Sequence, residues 1–166
     1  MEISVDLSKR SLNSAIRQLK QLKKSLPDKI ERKNQQLVEE GKNILDTNIS
    51  NIPNFDGNDK GMTFGTAVDL NAKIEWQGEQ VQFLEFGTGI VGSRQAYEGE
   101  LPPGWEYGKG EYSGRHEDGH WHYSKNGGEP ILTYGIPAYA PMLHASEELK
   151  TKIAEIYKGL LGGNEE

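Results

Sequence analysis

Apolar residues recur at helical spacing through the first fifty positions of the chain. Between residues 8 and 26 they stand three or four positions apart, with lysine, arginine and glutamine filling the other face: Leu12, Ile16, Leu19, Leu22 and Leu26. Ser8 is suited to be the N-cap of this helix. Pro27 interrupts the pattern and favours the first turn of a second helix.

That second helix is expected to run to about Asn48. One stripe of it collects the apolar positions and a glycine: Ile30, Leu37, Gly41, Ile44 and Leu45. A glycine inside a helix costs about 1 kcal/mol relative to alanine. Gly41 is therefore interpreted as a point of close packing against another backbone.

After residue 61 the spacing of apolar residues changes from a helical period to alternation. Residues 51–61 are rich in turn-forming types and predict a loop. Three short alternating segments follow and predict strands over Thr66–Asn71, Ala72–Gln77 and Val81–Phe86. Gly78-Glu79 between the last two predicts a hairpin turn.

Residues 87–135 contain many glycines and aromatic residues with almost no aliphatic periodicity. A structureless stretch of this length is uncommon in a compact domain and is usually functional or disordered. His120–Ser124 alternates well enough to be one arm of a hairpin. Pro141–Leu161 then predicts a helix that Gly162-Gly163 terminates.

The order of these elements predicts an α+β fold. We expect one domain over residues 1–166, in which two N-terminal helices and one C-terminal helix pack on a small antiparallel sheet. Its segments would be a helical pair (1–50), sheet hairpins (62–89), a long glycine- and aromatic-rich loop or hairpin excursion (90–135) and the C-terminal helix (138–162).

Composition narrows the class of protein. The 166 residues contain no cysteine, so disulfides and thiolate metal sites are excluded. Only 34% of residues are apolar and 20 are glycine, which predicts a modest core. The N-terminal sequence lacks the apolar centre of a signal peptide, and no apolar run is long enough to cross a bilayer. We therefore expect a soluble, cytosolic protein.

Charge is unevenly distributed along the chain. Residues 1–42 carry ten Lys/Arg against six Asp/Glu, whereas residues 43–166 carry nine against nineteen. The basic helices would suit a nucleic-acid-binding module, for which the candidate residues are Lys20, Lys23, Lys24, Arg32 and Lys33. A solvated helix face explains the same lysines, which are spread along the helix, and an acidic body is a poor surface for gripping DNA.

The glycines after Phe86 match the spacing of a dinucleotide-binding loop, G-x-G-x-x-G, at Gly87, Gly89 and Gly92. Such a loop must open a helix whose N-terminus holds the pyrophosphate. The residues after Gly92 have no apolar helical stripe and soon meet two prolines. No cofactor is therefore predicted.

The cluster His116, Glu117, Asp118, His120 and His122 is the sequence feature closest to a metal site. Two histidines two positions apart on a strand share one face and could bind zinc or iron. The outward polar face of a hairpin explains the same residues, so no metal is predicted. A metal-dependent hydrolase using this cluster stays an alternative.

No catalytic residue is predicted either. Nucleophilic catalysis has no cysteine to use, and no serine stands in a G-x-S-x-G turn. Tyrosine and tryptophan are enriched at protein interfaces, although about half of these rings would be needed to cover the domain's own core. The candidate partner-interface residues are Glu85, Phe86, Gly87, Thr88, Gly89, Tyr97, Trp105, Tyr107, Tyr112, Trp121, Tyr123 and Tyr134.

Several sequence features together carry a family resemblance. These are D-L-S-x-R-S-L-x-x-A-I-x-Q-L (Asp6–Leu19), the helix containing Gly41, F-L-E-F-G-T-G-I (Phe83–Ile90), the Trp/Tyr/Gly-rich excursion, and G-I-P-A-Y-A-P-M-L-H-A-S-E-E-L (Gly135–Leu149). With this pattern the chain resembles, over essentially its whole length, the gene-10-like tail-completion or head–tail joining proteins of long-tailed bacteriophages and prophages.

The resemblance implies a structural subunit with no catalytic residue and no required cofactor. It would form a ring with itself, usually hexameric, between the head connector or stopper and the major tail tube protein, without sequence-specific nucleic-acid binding or a membrane. Its location would be the host bacterial cytoplasm during assembly and then the virion neck. The contact elements would lie in the loop from Phe86 to about Tyr134 and in the loop over residues 51–61.

Overall fold

A computed structural model describes residues 8–53, 60–88, 95–107, 120–124 and 127–160. These residues form α1 (Lys9–Ser50), β1 (Met62–Val68), β2 (Asn71–Gln77), α2 (Val81–Phe86), β3 (Trp121–Ser124), β4 (Pro130–Thr133) and α3 (Pro141–Ile156). The predicted α+β class is confirmed. No helix among the described residues is both long enough and apolar enough to span a membrane.

The N-terminal helical pair is a single helix, so the predicted break at Pro27 is wrong. α1 runs through Pro27 for 42 residues. Ile30 follows Leu26 by four positions, so the apolar stripe stays on one face across the proline and favours continuation. The predicted N-cap is confirmed, because the Ser8 Oγ accepts the Ser11 N–H at 3.2 Å.

The first hairpin lies one segment earlier than predicted. β1 pairs with β2, and only Asp69 and Leu70 join them, so the strands are antiparallel. Asp69 has a φ of 53°, a backbone conformation that aspartate tolerates better than most residues. This turn therefore forms without glycine, and Gly78-Glu79 lies outside the hairpin.

Val81–Phe86 is α2, so the strand predicted there is wrong. A six-residue apolar run fits both periodicities, and here Leu84 and Glu85 become its buried positions. The later hairpin is confirmed. β3 pairs antiparallel with β4, with Trp121 opposite Thr133 and His122 opposite Leu132.

The chain divides into two compact units, each made of separate segments. The first comprises Met1–Ile44, Phe64–Glu75 and Glu147–Glu166, and the second comprises Leu45–Thr63 and Trp76–Ser146. The single-domain prediction stays a prediction.

In the first unit, two glycines allow close approach to side chains. A Cβ on Gly41 would lie 2.8 Å from the Leu149 Cδ2 and closer still to the Ile74 Cδ1, and a Cβ on Gly65 would overlap Val38. Close packing at Gly41 is thus confirmed, but its nearest neighbours are the side chains of Ile74 and Leu149 and not another backbone. Ile153, on α3, is 41% exposed.

The second unit has its own apolar core. Its buried members are Leu45, Ile49, Ile52, Trp76, Leu84, Ala138, Ala140, Pro141 and Ala145. Within it, the indole N–H of Trp76 donates to the Lys60 carbonyl at 2.7 Å, which satisfies the polar atom of a buried ring.

Candidate protein-interaction site

The candidate site begins where α2 ends. Gly87 has a φ of 72°, and its N–H donates to the Phe83 carbonyl at 2.8 Å, which closes the last turn of the helix. The backbone conformation at this point favours glycine because a Cβ would be strained there. Gly87 thereby ends α2 and starts the segment that contains the predicted contact residues.

The Glu85 carboxylate caps the N-terminus of α3. Its Oε2 accepts the Met142 N–H at 2.9 Å and its Oε1 accepts the Leu143 N–H at 3.1 Å. Pro141, the first residue of α3, has no N–H, and the His144 N–H already donates to the Ala140 carbonyl. Glu85 therefore satisfies the N–H groups of the first helical turn that lack a helical partner.

Glu85 is buried, at 5% exposure, and hydrogen-bond donors from distant parts of the chain stabilise its charge. Beyond the two N–H groups, the Tyr97 hydroxyl donates to Oε1 at 3.2 Å. Burial raises the pKa of the Glu85 carboxyl above its ordinary value of 4.5, and the hydrogen bonds from Met142, Leu143 and Tyr97, together with nearby His144, act to lower it. Desolvation of the carboxylate therefore raises the pKa by more than the hydrogen bonds lower it.

The segment before α3 pairs with α2 and the residues that follow it. Thr88 and Ile136 exchange two hydrogen bonds, because the Thr88 N–H donates to the Ile136 carbonyl and the Ile136 N–H donates to the Thr88 Oγ1, both at 2.8 Å. The Tyr139 N–H donates to the Leu84 carbonyl at 3.0 Å and the Ala140 N–H to that of Glu85 at 3.2 Å. Backbone contacts and the Glu85 cap thus fix the same junction.

Aromatic rings attach the following loop to this junction. The Phe86 ring lies edge-on to Tyr97 at 4.9 Å and to Trp105 at 5.3 Å between centroids. The Tyr107 hydroxyl donates to the Phe86 carbonyl at 2.6 Å and accepts the Tyr97 N–H at 2.8 Å. Part of the aromatic set therefore packs on the protein's own chain, as expected from the sequence.

The other predicted interface residues lie on or next to the β3–β4 hairpin, or outside the described residues. Tyr134 is 48% exposed and its ring lies 5.9 Å from that of His120. Trp121 and Tyr123 lie on β3. Gly89 and Tyr112 lie outside the described residues. The partner-interface role of the whole set stays a prediction, to which the structure adds that Glu85 and Gly87 are buried.

The candidate metal cluster is described only in part. The His120 and His122 rings lie 5.6 Å apart, whereas His116, Glu117 and Asp118 lie outside the described residues. Within the described ranges no group of three or more His, Asp or Glu side chains is placed to hold a metal ion. The absence of a metal stays a prediction.

The structure bears differently on the dinucleotide-binding spacing and on the basic residues of the nucleic-acid-binding alternative. Gly87 follows a helix instead of a strand, which removes the strand that a dinucleotide-binding loop requires, and Gly89 and Gly92 lie outside the described residues. The basic candidates all lie on α1, where Lys20, Lys23, Lys24 and Arg32 are exposed and Lys33 is partly buried.

The helix-capping role of Glu85 was missed in the sequence. A signal for it exists, because Pro141 begins α3 directly after Ala140, which has no side-chain oxygen to cap the helix. A helix start without a local cap requires an acceptor from elsewhere in the fold. The sequence does not indicate which of the many carboxylates supplies it.

No family model, no curated protein and no solved structure matches this chain in the comparisons made with each.

Proposed function

We propose that this protein is a structural subunit of the head–tail interface of a long-tailed bacteriophage, where it completes the tail or joins head to tail as part of a ring. It acts by ordered protein–protein assembly and not by catalysis. The partners in this proposal are further copies of the chain, the head connector or stopper, and the major tail tube protein.

One observation carries the proposal. The two most distinctive segments of the resemblance, Phe83–Ile90 and Gly135–Leu149, lie 57 residues apart at Glu85 and Met142 yet meet through a buried carboxylate. Both segments that carry the resemblance therefore contribute to the same structural junction, at Glu85 and Met142. A shared junction of this kind supports the resemblance because it gives both motifs the same physical purpose.

The junction also supports an assembly role for the loop it holds. Residues 95–107 carry three exposed glutamates and Trp105, and the loop is attached through Phe86 and Tyr107. A subunit of a closed ring needs two different adhesive surfaces, because head-to-tail contacts are heterologous. A loop held in place before assembly loses less conformational entropy on binding.

The test is deletion of the gene from its phage or prophage, followed by electron microscopy of the particles. We expect DNA-filled heads and finished tails that are not joined, and restoration of joined particles when the wild-type protein is supplied in trans. The purified virion should contain the protein at the neck. Normal infectious particles after deletion, or a virion without the protein, would contradict the proposal.

Two solution measurements test the alternatives. Stoichiometric zinc, iron or manganese in the purified protein would favour a hydrolase over a structural subunit. Salt-sensitive DNA binding, weakened by charge reversal at Lys20, Lys23 and Lys24, would favour a nucleic-acid-binding module. Gene neighbourhood adds an independent check, because genes for a portal, an adaptor and a major tail protein should lie alongside.

A further inference from the structure

The first part of α1, residues 9–26, presents an apolar stripe to solvent. We call this segment the arm. Leu12 is 45% exposed, Ile16 49% and Leu19 53%, and their spacing of four and three places them on one face. Ala15, at the edge of the same stripe, is only 8% exposed, and the two leucines that follow in the arm are half-buried. The stripe is therefore open at its first three large apolar residues and partly covered beyond them.

The open stripe is bordered by positive charge. The arm contains Lys or Arg at six positions and no Asp or Glu: Lys9, Arg10, Arg17, Lys20, Lys23 and Lys24. Lys20 and Lys23 are exposed and follow Leu19 closely along the helix. Two arms laid against each other would bring like charges together. The stripe therefore suits an acidic partner surface and not a second arm.

The loop over residues 95–107, which we call the acidic loop, has the complementary character. It contains Glu98, Glu100 and Glu106, all exposed, and no Lys or Arg. Trp105 is 39% exposed, which adds apolar surface beside these carboxylates. Tyr107 and Phe86 hold the loop in place before any partner binds. The negative charge of the loop complements the positive charge of the arm, and the Trp105 ring offers apolar surface to the arm's apolar stripe.

We infer that the arm of one copy docks on the acidic loop of a second copy of this chain. The contact is heterologous, so each copy uses its arm on one neighbour and its acidic loop on the other. Placing this contact inside a ring rests on the proposed function, whereas the contact itself rests on the two surfaces.

Charge favours a second copy over the other ligands of a basic amphipathic helix. The chain has a net charge of −6 and the arm contributes +6, so the remainder carries −12. That excess would repel DNA and an anionic membrane when the arm approached either. The same excess attracts the arm of another copy.

Sedimentation velocity of the full chain over a range of protein and salt concentrations measures this contact. We expect concentration-dependent self-association that weakens as salt rises, because salt screens the charge pairs. The paired variant Lys20→Glu/Lys23→Glu and the paired variant Glu98→Lys/Glu100→Lys should each weaken association about tenfold or more. Leu12→Gln/Ile16→Gln/Leu19→Gln should weaken it similarly.

The decisive variant carries both charge reversals in one chain. It should regain most of the lost association, because its arm and its loop have exchanged sign. A matched control for the arm variant is Lys150→Glu/Lys158→Glu, which lowers the net charge by the same amount as Lys20→Glu/Lys23→Glu but at exposed positions outside the arm. It should leave association within about twofold of wild type. Circular dichroism of each variant checks that the helices are intact.

Several outcomes would overturn the inference. These are a wild-type chain that stays monomeric to its solubility limit, a combined variant that does not recover, or arm-dependent binding to duplex DNA or to phosphatidylserine vesicles that exceeds self-association. If the combined variant does not recover self-association but the protein is found at the virion neck, the proposed function still holds and only this contact is refuted. If self-association recovers but the virion lacks the protein, only the phage assignment is refuted.

Discussion

Glu85 and Met142 are joined by a hydrogen bond of 2.9 Å from the backbone N–H of Met142 to the Glu85 Oε2. The carboxylate belongs to the last turn of α2 and the N–H to the first turn of α3. Because Pro141 has no N–H and Ala140 has no capping side chain, the start of α3 depends on a residue far away in the chain. Local helix formation and long-range packing are therefore coupled at this bond.

Replacing Glu85 should destabilise the fold. Glu85→Ala leaves the partly buried N–H groups of Met142 and Leu143 without their acceptor, and we expect the free energy of unfolding to fall by about 2–3 kcal/mol. Glu85→Gln keeps the volume but turns an amide donor towards one of these N–H groups, and a smaller loss of about 1–2 kcal/mol should follow. Urea denaturation monitored by circular dichroism measures both.

The matched control for this series is Glu79→Gln, which makes the same chemical change at an exposed position just before α2. It should alter the free energy of unfolding by no more than about 0.5 kcal/mol. Equal effects at Glu79 and Glu85 would mean that the buried cap contributes nothing specific.

The pH dependence of stability should carry the signature of Glu85. Burial raises the pKa of this carboxyl in the folded protein above 4.5, so the folded state binds a proton more readily than the unfolded state. Its contribution to stability is therefore greatest at low pH and falls as the pH rises through the folded pKa. The advantage of wild type over Glu85→Gln should therefore shrink as the pH rises above 4.5, the ordinary pKa of the carboxyl.

Parallel urea titrations of the two proteins at several pH values isolate this contribution, because titrating groups common to both cancel in the difference. An advantage that grows with pH would show the opposite sign. The hydrogen bonds from Met142, Leu143 and Tyr97 would then outweigh burial in setting the pKa.

The elements of this fold could be predicted where the pattern was long. Helical spacing identified α3 and the helical character of α1, although it divided α1 at Pro27, and alternation at His120–Ser124 identified β3. Val81–Phe86 could not be assigned from pattern, because six residues satisfy both periods. The Asp69-Leu70 turn lacks the glycine that marks such turns, so its position was missed.

The candidate site was harder to predict than the elements. Sequence reasoning selected Glu85, Phe86 and Gly87 because they lie where a regular pattern stops. It could not supply their roles, since Met142 is a backbone partner 57 positions away. The exposure of Leu12 and Leu19 was equally hidden, because an apolar stripe looks the same whether the chain itself or another copy covers it.

Adding one methyl group at Gly41 should destabilise the first unit. Alanine gains about 1 kcal/mol of helix propensity. Its Cβ, however, would overlap Ile74 and Leu149, and overpacking of this kind costs about 1–3 kcal/mol. We expect Gly41→Ala to lower the free energy of unfolding by about 1 kcal/mol in urea.

A double-mutant cycle separates these two effects. Ile74→Val removes the Cδ1 that a Cβ at Gly41 would meet first, so the pair Gly41→Ala/Ile74→Val should be more stable than the sum of the single effects. Ser14→Ala, at an exposed position on the same helix, controls for propensity alone and should be slightly stabilising. Strict additivity would show that the contact with Ile74 does not limit the site.

Removing Pro27 should stabilise the protein, because α1 is continuous across it. An interior proline removes one helical hydrogen bond and crowds the preceding turn, which costs about 3 kcal/mol, whereas its rigidity returns only about 1 kcal/mol through the unfolded state. Pro27→Ala should therefore raise the free energy of unfolding by about 1–2 kcal/mol and increase the helical circular dichroism signal. Asp28→Ala, at the neighbouring exposed position, should change it by only about 0.5 kcal/mol. A loss of stability in Pro27→Ala would instead place the proline at the first turn of a separate helix, where its fixed φ is favourable.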